Sequence, residues 1–247
     1  MSVYRAKKEA ELDFPKRIKN HDTRRPPGNV PYVVDNLWEW VRPENYPDRR
    51  KSKFASPKAE QALRSAGLLA DCLESTGVSE EEIASSGLPD ECLKHVFRVE
   101  FVRDPVIAQL LGVEDARYHP DCQRVSSDTG YEHLEKDSES KHLREVLFEK
   151  LGGKFDWSSK KMKEKHPVGQ LFQPCLTAKE VDYLFDIVDV LRSCKDEIQQ
   201  EVTYWQDLEL IDDPEELADE EKGEILFEFR GLDGEIGYRK QPVEKGR

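Results

Sequence analysis

Two stretches of the chain place apolar residues at three- and four-residue steps, the spacing of a helix with one buried face. The first stripe consists of Ala59, Ala62, Leu63, Ala66, Leu69, Ala70 and Leu73. The second consists of Val181, Leu184, Phe185, Val188 and Leu191. Ser56 before Pro57 is typical of an N-cap for the first helix. Thr177 and Glu180 form a capping box for the second. The pattern predicts helices over residues 57–73 and from Thr177 onward.

Shorter runs rich in β-branched and aromatic residues predict strands. These runs are residues 51–56, 95–102 and 197–205. Residues 223–240 indicate a closing β-hairpin, with Leu232-Asp233-Gly234 in its turn. Residues 32–41 fit both a helical stripe and a strand, and Pro43 ends either element because the residue before a proline is pushed out of the helical region.

The rest of the chain predicts smaller elements and one long loop. Ser79 and Glu82 form a capping box at the start of a helix over residues 79–84. Residues 104–111 indicate a short helix or turn, and residues 142–151 a further helix. The polar stretch 115–141 predicts a long loop, and loops of that length are functional or mobile. Whether it forms a lid stays open.

Three regions follow from these elements. The first 31 residues, which end in RPPGNVP, predict an arm, with ordered structure beginning near Tyr32. Residues 32–211 form the predicted main domain, and residues 212–247 an acidic segment followed by the hairpin. Strands and helices mix without strict βαβ alternation, so the predicted fold class is α+β rather than doubly wound α/β.

Composition predicts a soluble intracellular protein. The 247 residues contain no long apolar run, so no membrane-spanning helix is expected. The N-terminal sequence MSVYRAKKEAELDF lacks the apolar core of a signal peptide. The five cysteines are odd in number and widely spaced, which favours reduced thiols and a cytoplasmic location.

The formal net charge of −13 makes direct DNA binding an unfavourable interpretation, because the chain repels a phosphate backbone. The charge is unevenly distributed, with a basic excess near the N-terminus. Residues 212–221 contain seven acidic residues in ten. The simplest interpretation of this run is a solvated surface. The alternative is a patch that docks a partner or mimics DNA.

Standard catalytic and metal-binding signatures are absent from the sequence. It has no phosphate-binding P-loop, no dinucleotide fingerprint, no G-x-S-x-G elbow and no H-E-x-x-H. Cys92-x-x-His95 and His119-x-x-Cys122 have the spacing of zinc ligands. The favoured interpretation is nevertheless that no metal binds, with Cys92 at a helix end and His95 at a strand start.

Three short segments carry candidate chemistry. Arg42 follows a Trp-rich run that includes Trp40, and its guanidinium suits a bidentate phosphate contact. Phe54 and Ser56 lie in the short strand 51–56. Gln199 and Glu201 would share one face of a strand, since side chains alternate. A carboxylate such as Glu201, fixed opposite C1 of a ribose, stabilises the oxocarbenium-like transition state of nicotinamide loss.

With these segments in this order, the chain resembles the ADP-ribosyltransferase superfamily. The family's arginine-type pattern is an early arginine, an aromatic-S/T-x-S/T-like strand, and Q/E-x-E on a late strand. The matching positions are Arg42, Phe54-Ala55-Ser56 and Gln199-Gln200-Glu201. The resemblance implies split mixed or antiparallel sheets with flanking helices, and NAD as the substrate that donates ADP-ribose. It also implies a macromolecular acceptor, expected to be a protein.

The resemblance implies that Glu201 is catalytic, that Gln199 helps to choose the acceptor and that Ser56 supports the nicotinamide pocket. Residues 36–47 also look like the first strand of the His-type branch, which would put Trp40 rather than Arg42 in the NAD-gripping position. Two other functions stay open. One is an ADP-ribosyltransferase-like protein that binds a nucleotide or acts on RNA phosphate, and the other is a non-enzymatic acidic binding or mimic protein.

Overall fold

The protein is described here by a computed structural model that covers residues 3–8, 17–19, 24–25, 28–125, 167–212 and 223–243. Over these residues it is α+β, with two four-stranded antiparallel sheets and flanking helices. This confirms the predicted fold class. Within the same residues, no helix has the length and apolarity needed to cross a membrane.

The chain forms two compact units, and each is assembled from separate stretches. Unit 1 consists of Met1–Thr23, Lys51–Asp115 and Glu209–Arg247. Unit 2 consists of Arg24–Arg50 and Ala116–Leu208. These boundaries differ from the three regions expected from the sequence. The physical reason is that Val3–Ala6 and Arg17–Lys19, near one end of the sequence, join a strand from the other end in the same sheet.

Sheet A of unit 1 contains the N-terminal strand. Its strands are β1 (Val3–Ala6), β2 (Arg17–Lys19), β4 (Val96–Phe101) and β8 (Ile236–Pro242), in the order β1-β4-β8-β2. Neighbouring strands pair antiparallel. Ordered structure therefore begins well before Tyr32. The strand expected over residues 95–102 is confirmed by β4.

Sheet B consists of β3 (Lys53–Ala55), β5 (Val106–Leu110), β6 (Leu208–Ile211) and β7 (Ile225–Glu228), in the order β3-β7-β5-β6. The strand expected within residues 51–56 is confirmed by β3. The short helix or turn expected over residues 104–111 is wrong, because these residues form β5. Val106 and Ile107 are β-branched, and Pro105 disfavours helix at the residue before it.

The predicted C-terminal hairpin is also wrong. All four residues of β7 are buried, and β7 pairs with β3 on one side and β5 on the other. A strand with both edges occupied has no free edge for β8, which instead joins sheet A. Gly231 and Gly234 adopt positive φ in the connection between the two strands.

Unit 1 has two core clusters, one between the inner faces of the two sheets and one between sheet A and a group of helices. The inter-sheet cluster includes Val3, Phe97 and Tyr238 from sheet A and Ala55, Ile107 and Phe227 from sheet B. The helices are α2 (Ala59–Ser65), α3 (Leu69–Thr76), α4 (Glu80–Ser86) and α5 (Asp90–Leu93). The capping box of Ser79 and Glu82 at the start of α4 is confirmed.

The single helix expected over residues 57–73 is wrong, because the chain breaks into α2 and α3. Gly67, in the break, has a φ of +70°. Ser56 is not the N-cap of α2, since Lys58 holds that position without a side-chain hydrogen bond. The backbone of Ser56 is instead paired with that of Tyr4 on β1.

Unit 2 is helical. Its α-helices are α1 (Tyr32–Trp40), α6 (Pro120–Val125), α7 (Ala178–Ile187), α8 (Asp189–Arg192) and α9 (Lys195–Glu201). Residues 32–41, for which helix and strand were both open, contain α1, in which residues 33–39 are all buried, so the helix is covered on every side. The helix expected from Thr177 and its capping box with Glu180 are confirmed.

Arg50 is the centre of a buried polar network in unit 2. Its Nε donates to Oδ2 of Asp35 at 2.7 Å, and its Nη2 donates to Oδ1 of Asn36 at 2.6 Å. Its Nη1 donates to the backbone carbonyl of Leu176. A buried charge is costly unless it is paired, so these bonds fix Arg50 against α1 and the start of α7.

Several predictions of the sequence fall on other parts of the chain. The helix over residues 142–151 and the acidic run from residue 213 onward lie outside the described residues. So does most of the expected loop 115–141. Its first residues form a short 3-10 turn, Ala116–Tyr118, followed by α6.

Candidate functional site

Trp40, a predicted cofactor-binding residue, packs inside unit 2. Its indole stacks on Phe185 with ring centroids 4.3 Å apart, and its Nε1 donates to Oδ1 of Asp182 at 3.1 Å. Lys195 lies 2.8 Å from the same carboxylate oxygen. The hydrogen bond from Lys195 is the main reason that the pKa of Asp182 lies below its ordinary value. Trp40 therefore fastens α1 to α7.

Arg42, the other predicted gripping residue, is engaged by neighbours from its own segment. Its Nε lies 3.0 Å from Oε2 of Glu39, a side chain that is 5% exposed. Its Nη1 donates to the carbonyl oxygen of Tyr46 at 3.1 Å. A phosphate would have to displace the buried Glu39 carboxylate, so this arginine stabilises the turn that follows α1.

Gln199 and Glu201 lie on helix α9, so the strand expected over residues 197–205 is wrong. Ile198 is the buried side chain of α9 and lies one helical turn, four residues, after the buried N-cap Cys194. Residues two apart on a helix point about 200° from each other. Gln199 is exposed and Glu201 is half-buried. The prediction that both side chains act together required them to share one face of a strand, and on a helix they do not.

Phe54 and Ser56 lie in unit 1, on and just after β3. Phe54 is half-buried, whereas Ser56 is buried. The amide of Ser56 donates to the carbonyl oxygen of Tyr4 at 2.8 Å, and the amide of Tyr4 donates back at 2.9 Å. This bridge joins β1 of sheet A to the end of β3 in sheet B. Ser56 therefore lies at the seam where the two sheets meet.

A buried carboxylate, Glu224, lies one residue before the neighbouring strand. Ala55 of β3 pairs with Ile225 of β7, so Ser56 and Glu224 follow one position further along two adjacent strands. Glu224 is 5% exposed. Its carbonyl oxygen accepts from the amide of Leu110 at 2.9 Å, which ties it to β5 as well. Buried carboxylates are uncommon and mark a structural or functional role.

Gly223 fixes the position of Glu224. A Cβ atom on Gly223 would lie 1.8 Å from the carbonyl oxygen of Val113, so no other residue fits without movement of the backbone. The amide of Gly223 donates to Leu110 at 2.8 Å. The backbone on both sides of Glu224 is therefore held against the end of β5.

Arg5 lies at the same seam from the side of sheet A. It follows Tyr4, whose backbone pairs with Ser56, and it is half-buried. Its Nη1 lies 2.5 Å from the phenol oxygen of Tyr238. An arginine, a serine and a glutamate from distant parts of the sequence thus lie on or next to three successive strands, β1, β3 and β7. Ser56 opposes Glu224 and shares its face, which offers hydroxyl and carboxylate chemistry, whereas Arg5 opposes Phe97 and faces the inter-sheet core.

No family model, curated protein or solved structure matches the chain.

The sequence analysis missed Arg5 and Glu224, although weak signals for both exist. Arg5 lies in the β-compatible run VYRA, which was assigned to an arm. Glu224 directly precedes the apolar run ILF, which is typical of a strand buried on both faces. Glu224 and Ser56 are neighbours because β3 and β7, which are far apart in sequence, pair with each other. No local sequence pattern reveals that pairing.

The two pairs with zinc-ligand spacing have other contacts. His119 Nε2 lies 2.9 Å from Oδ2 of Asp207, and Cys122 Sγ donates to the carbonyl oxygen of Ala116 at 3.1 Å. Cys92 is buried and hydrogen-bonded to Cys72. Across the residues that the structure describes, no group of three or more histidine, cysteine or acidic side chains is placed to hold a metal ion.

Proposed function

We propose that the protein is an NAD-dependent ADP-ribosyltransferase that modifies a protein or another macromolecule, with Glu224 rather than Glu201 as its catalytic carboxylate. The observation that carries the proposal is the position of Glu224. Its side chain is buried, and it opposes Ser56 one position beyond the Ala55–Ile225 pair of β3 and β7. The family's pattern places its serine and its carboxylate on strands, and Glu201 lies on a helix.

The chemistry assigns one task to each residue. The bond between C1 of the ribose and the nicotinamide nitrogen breaks, and nicotinamide leaves with the electron pair. The carboxylate of Glu224 stabilises the positive charge that develops at C1. An acceptor nucleophile then forms the new bond to C1 and loses its proton. Ser56, which shares a face with Glu224, supports the nicotinamide.

The fold is compatible with this assignment. Two antiparallel four-stranded sheets meet at the Tyr4–Ser56 bridge, and the register places Ser56 and Glu224 opposite each other beside it. We propose that this seam corresponds to the split between sheets that the resemblance to ADP-ribosyltransferases implies. The five free cysteines support a cytoplasmic setting, because reduced thiols are typical of that compartment.

The test uses NAD labelled in the adenylate, a cell lysate as the source of acceptors, and free nicotinamide as a second readout. Glu224→Gln keeps the size of the side chain and removes its charge. We expect this variant to lose label transfer and nicotinamide release by about a hundredfold or more, in line with the loss of a stabilising group in other active sites. Glu201→Gln is the matched control and should behave as wild type.

Far-UV circular dichroism and the thermal midpoint establish that both variants are folded. Equal activity in wild type and folded Glu224→Gln overturns the assignment of the carboxylate. Absence of nicotinamide release by wild type, together with no thermal shift on addition of NAD, overturns the transferase itself, because a ligand at a hundred times its dissociation constant stabilises by about 2.7 kcal/mol.

A further inference from the structure

The two faces of sheet A have different surroundings. One face packs into the inter-sheet core through residues such as Phe97 and Tyr238. The opposite face is covered at one end, where Tyr4, Ala6 and Val96 pack with the cluster that helices α2 to α5 contribute. Beyond that end, the side chains of this opposite face reach solvent.

The uncovered end, here called the open face of sheet A, consists of five side chains from three strands. Residues paired in register share a face, so Arg98 and Gln241 form one row, and Glu100 and Arg239 form the next. Arg17 of β2 pairs with Arg239 and extends the second row. Arg17, Arg98 and Glu100 are exposed, and the other two are half-buried. The open face is thus richer in cations than in carboxylates, in a chain with a formal net charge of −13.

Glu100 neutralises only part of the charge of the open face. Its Oε2 accepts from Nε2 of Gln241 at 2.6 Å, and its Oε1 lies 4.0 Å from Nη1 of Arg239. Within the part of the chain that the structure describes, the Arg17 and Arg98 side chains take part in no ion pair or hydrogen bond. Arg17 and Arg239 lie directly opposite each other, and like charges in that arrangement destabilise a sheet. An anionic partner would relieve this repulsion.

The three arginines form a line across the strands. Arg17 and Arg239 are opposite each other, which places their Cβ atoms about 5 Å apart, and Arg239 and Arg98 are diagonal neighbours at about 7–8 Å. A peptide that joins a sheet runs along the strands instead, and the edge strand β2 offers it only three residues. The arrangement therefore fits a chain of phosphates that crosses the sheet better than an acidic peptide added to its edge.

We propose that the open face of sheet A binds the phosphate backbone of single-stranded RNA. Each guanidinium can donate to two phosphate oxygens at once, and three guanidinium groups can contact successive phosphates of one strand. RNA is the partner because proteins meet it mostly as single-stranded loops and ends, whereas DNA is mostly duplex. Since the whole chain is acidic, the interaction is weak and sensitive to salt. This proposal does not rest on the transferase activity.

Fluorescence anisotropy of a labelled oligouridylate of about 12 nucleotides measures the binding to the full chain. The logarithm of the association constant should fall with the logarithm of salt concentration with a slope of about −2, as three phosphate contacts on a single strand require. Arg17→Gln, Arg98→Gln and Arg239→Gln should each weaken binding about threefold or more at low salt. Each should also reduce the slope by about 0.7, because one phosphate contact is lost.

Two further variants separate local charge from other effects. Glu100→Gln removes the carboxylate of the open face and should tighten binding about two- to fivefold, a gain that a folding defect does not produce. Arg192→Gln is the matched control, since Arg192 is 57% exposed and paired with Asp189 on α8. It removes the same charge from the chain at another place and should keep the wild-type affinity and slope.

Several outcomes overturn the proposal. They are no binding by wild type at about 50 mM salt, and wild-type affinity and slope in the three arginine variants, whose folding the thermal midpoint establishes. Polyglutamate that displaces the RNA equally well at equal charge would assign the open face to an acidic protein segment instead, and tighter binding of duplex DNA would also contradict the proposal. Glu224→Gln should bind RNA as wild type does, so failure of the transferase proposal leaves this one intact.

Discussion

The indole N–H of Trp38 donates a hydrogen bond to Oδ2 of Asp121 at 2.8 Å, with both side chains buried. The same oxygen accepts from the amides of Thr203 and Tyr204, each at 3.1 Å, and Oδ1 accepts from the Thr203 hydroxyl at 3.0 Å. One carboxylate thus satisfies donors from α1 and from the turn after α9.

Replacement of Asp121 by alanine should therefore destabilise the protein strongly. The change leaves several buried donors without their acceptor, and we expect a loss of about 3–5 kcal/mol in the free energy of unfolding. Urea unfolding followed by tryptophan fluorescence measures it. Asp189→Ala is the control, since the Asp189 side chain is 94% exposed, and it should change the free energy by at most about 0.5 kcal/mol. If both variants unfolded at similar urea midpoints, the conclusion that Asp121 connects α1 to the turn after α9 would be wrong.

Gly223→Ala tests whether the backbone before Glu224 is as constrained as its contacts indicate. The added methyl would lie 1.8 Å from the carbonyl oxygen of Val113, and backbone must move to relieve it. We expect a lower thermal midpoint and a loss of nicotinamide release, because Glu224 moves with its neighbour. Gly28→Ala is the control, since a Cβ there meets nothing within 4 Å. A Gly223→Ala protein with wild-type stability and activity would contradict this account.

The capping box at the start of α7 should give a pH-dependent contribution to stability. Hydrogen bonds from Thr177, first from its backbone and then from its hydroxyl, lower the pKa of Glu180 from its ordinary value of 4.5. A folded pKa below the unfolded one means that the stabilisation is present above pH 4.5 and is lost as the pH falls through the lower folded value.

Glu180→Gln should thus be less stable than wild type at neutral pH, and the difference should shrink as the pH falls below 4.5 and through the lowered folded pKa, below which the carboxylate is protonated in both states. Thermal midpoints of the two proteins across that range measure the effect. Thr177→Ala should cost about 1 kcal/mol at neutral pH, as the loss of an N-cap usually does. A difference between wild type and Glu180→Gln that stays constant at every pH would contradict the charge-based explanation.

The thiols should react at very different rates. Burial, together with a hydrogen bond to Cys72, raises the pKa of Cys92 to about 12, so almost no thiolate forms near neutral pH. Of the five free cysteines, four are buried and Cys175 is half-buried. We expect one thiol to react with a disulfide reagent in the native protein and five in denaturant.

Cys175→Ser identifies that thiol, because it should abolish the native reaction. Burial also raises the pKa of Cys175, so its rate should increase as the pH rises above neutrality. Rapid native labelling of Cys92, located by peptide mapping, would contradict the description of its surroundings.

Helix α9 and strand β7 show how far the sequence could predict this fold. The helical stripe of Leu191, Cys194 and Ile198 was present in the sequence, but the β-rich run that follows it obscured where the helix ends. The capping boxes were predicted correctly because their residues are three apart and need no distant partner. Strand β7 was recognised as a strand, yet its partners were not.

The choice of candidate site residues depends on the same kind of pairing. Local pattern cannot show that Ser56 meets Tyr4 on one side and approaches Glu224 on the other, because both neighbours come from pairings distant in sequence. The family pattern predicted Phe54 and Ser56 on the short strand, and it predicted Arg42 as the cation and Glu201 as the carboxylate. These predictions follow the order of short motifs along the sequence, which carries no information about strand pairing. We propose Glu224 on the basis of a tertiary pairing rather than of composition or spacing.

The interleaved order of sheet B has a consequence for biosynthesis. A ribosome releases β3 and β5 long before β7, which must enter between them, and β8 must likewise enter between β4 and β2. Until the last strands emerge, each sheet presents unpaired edges that invite association with other chains. A truncated product ending before residue 225 would lack an inner strand from each sheet. We therefore expect the nascent protein to need chaperones until translation is nearly complete.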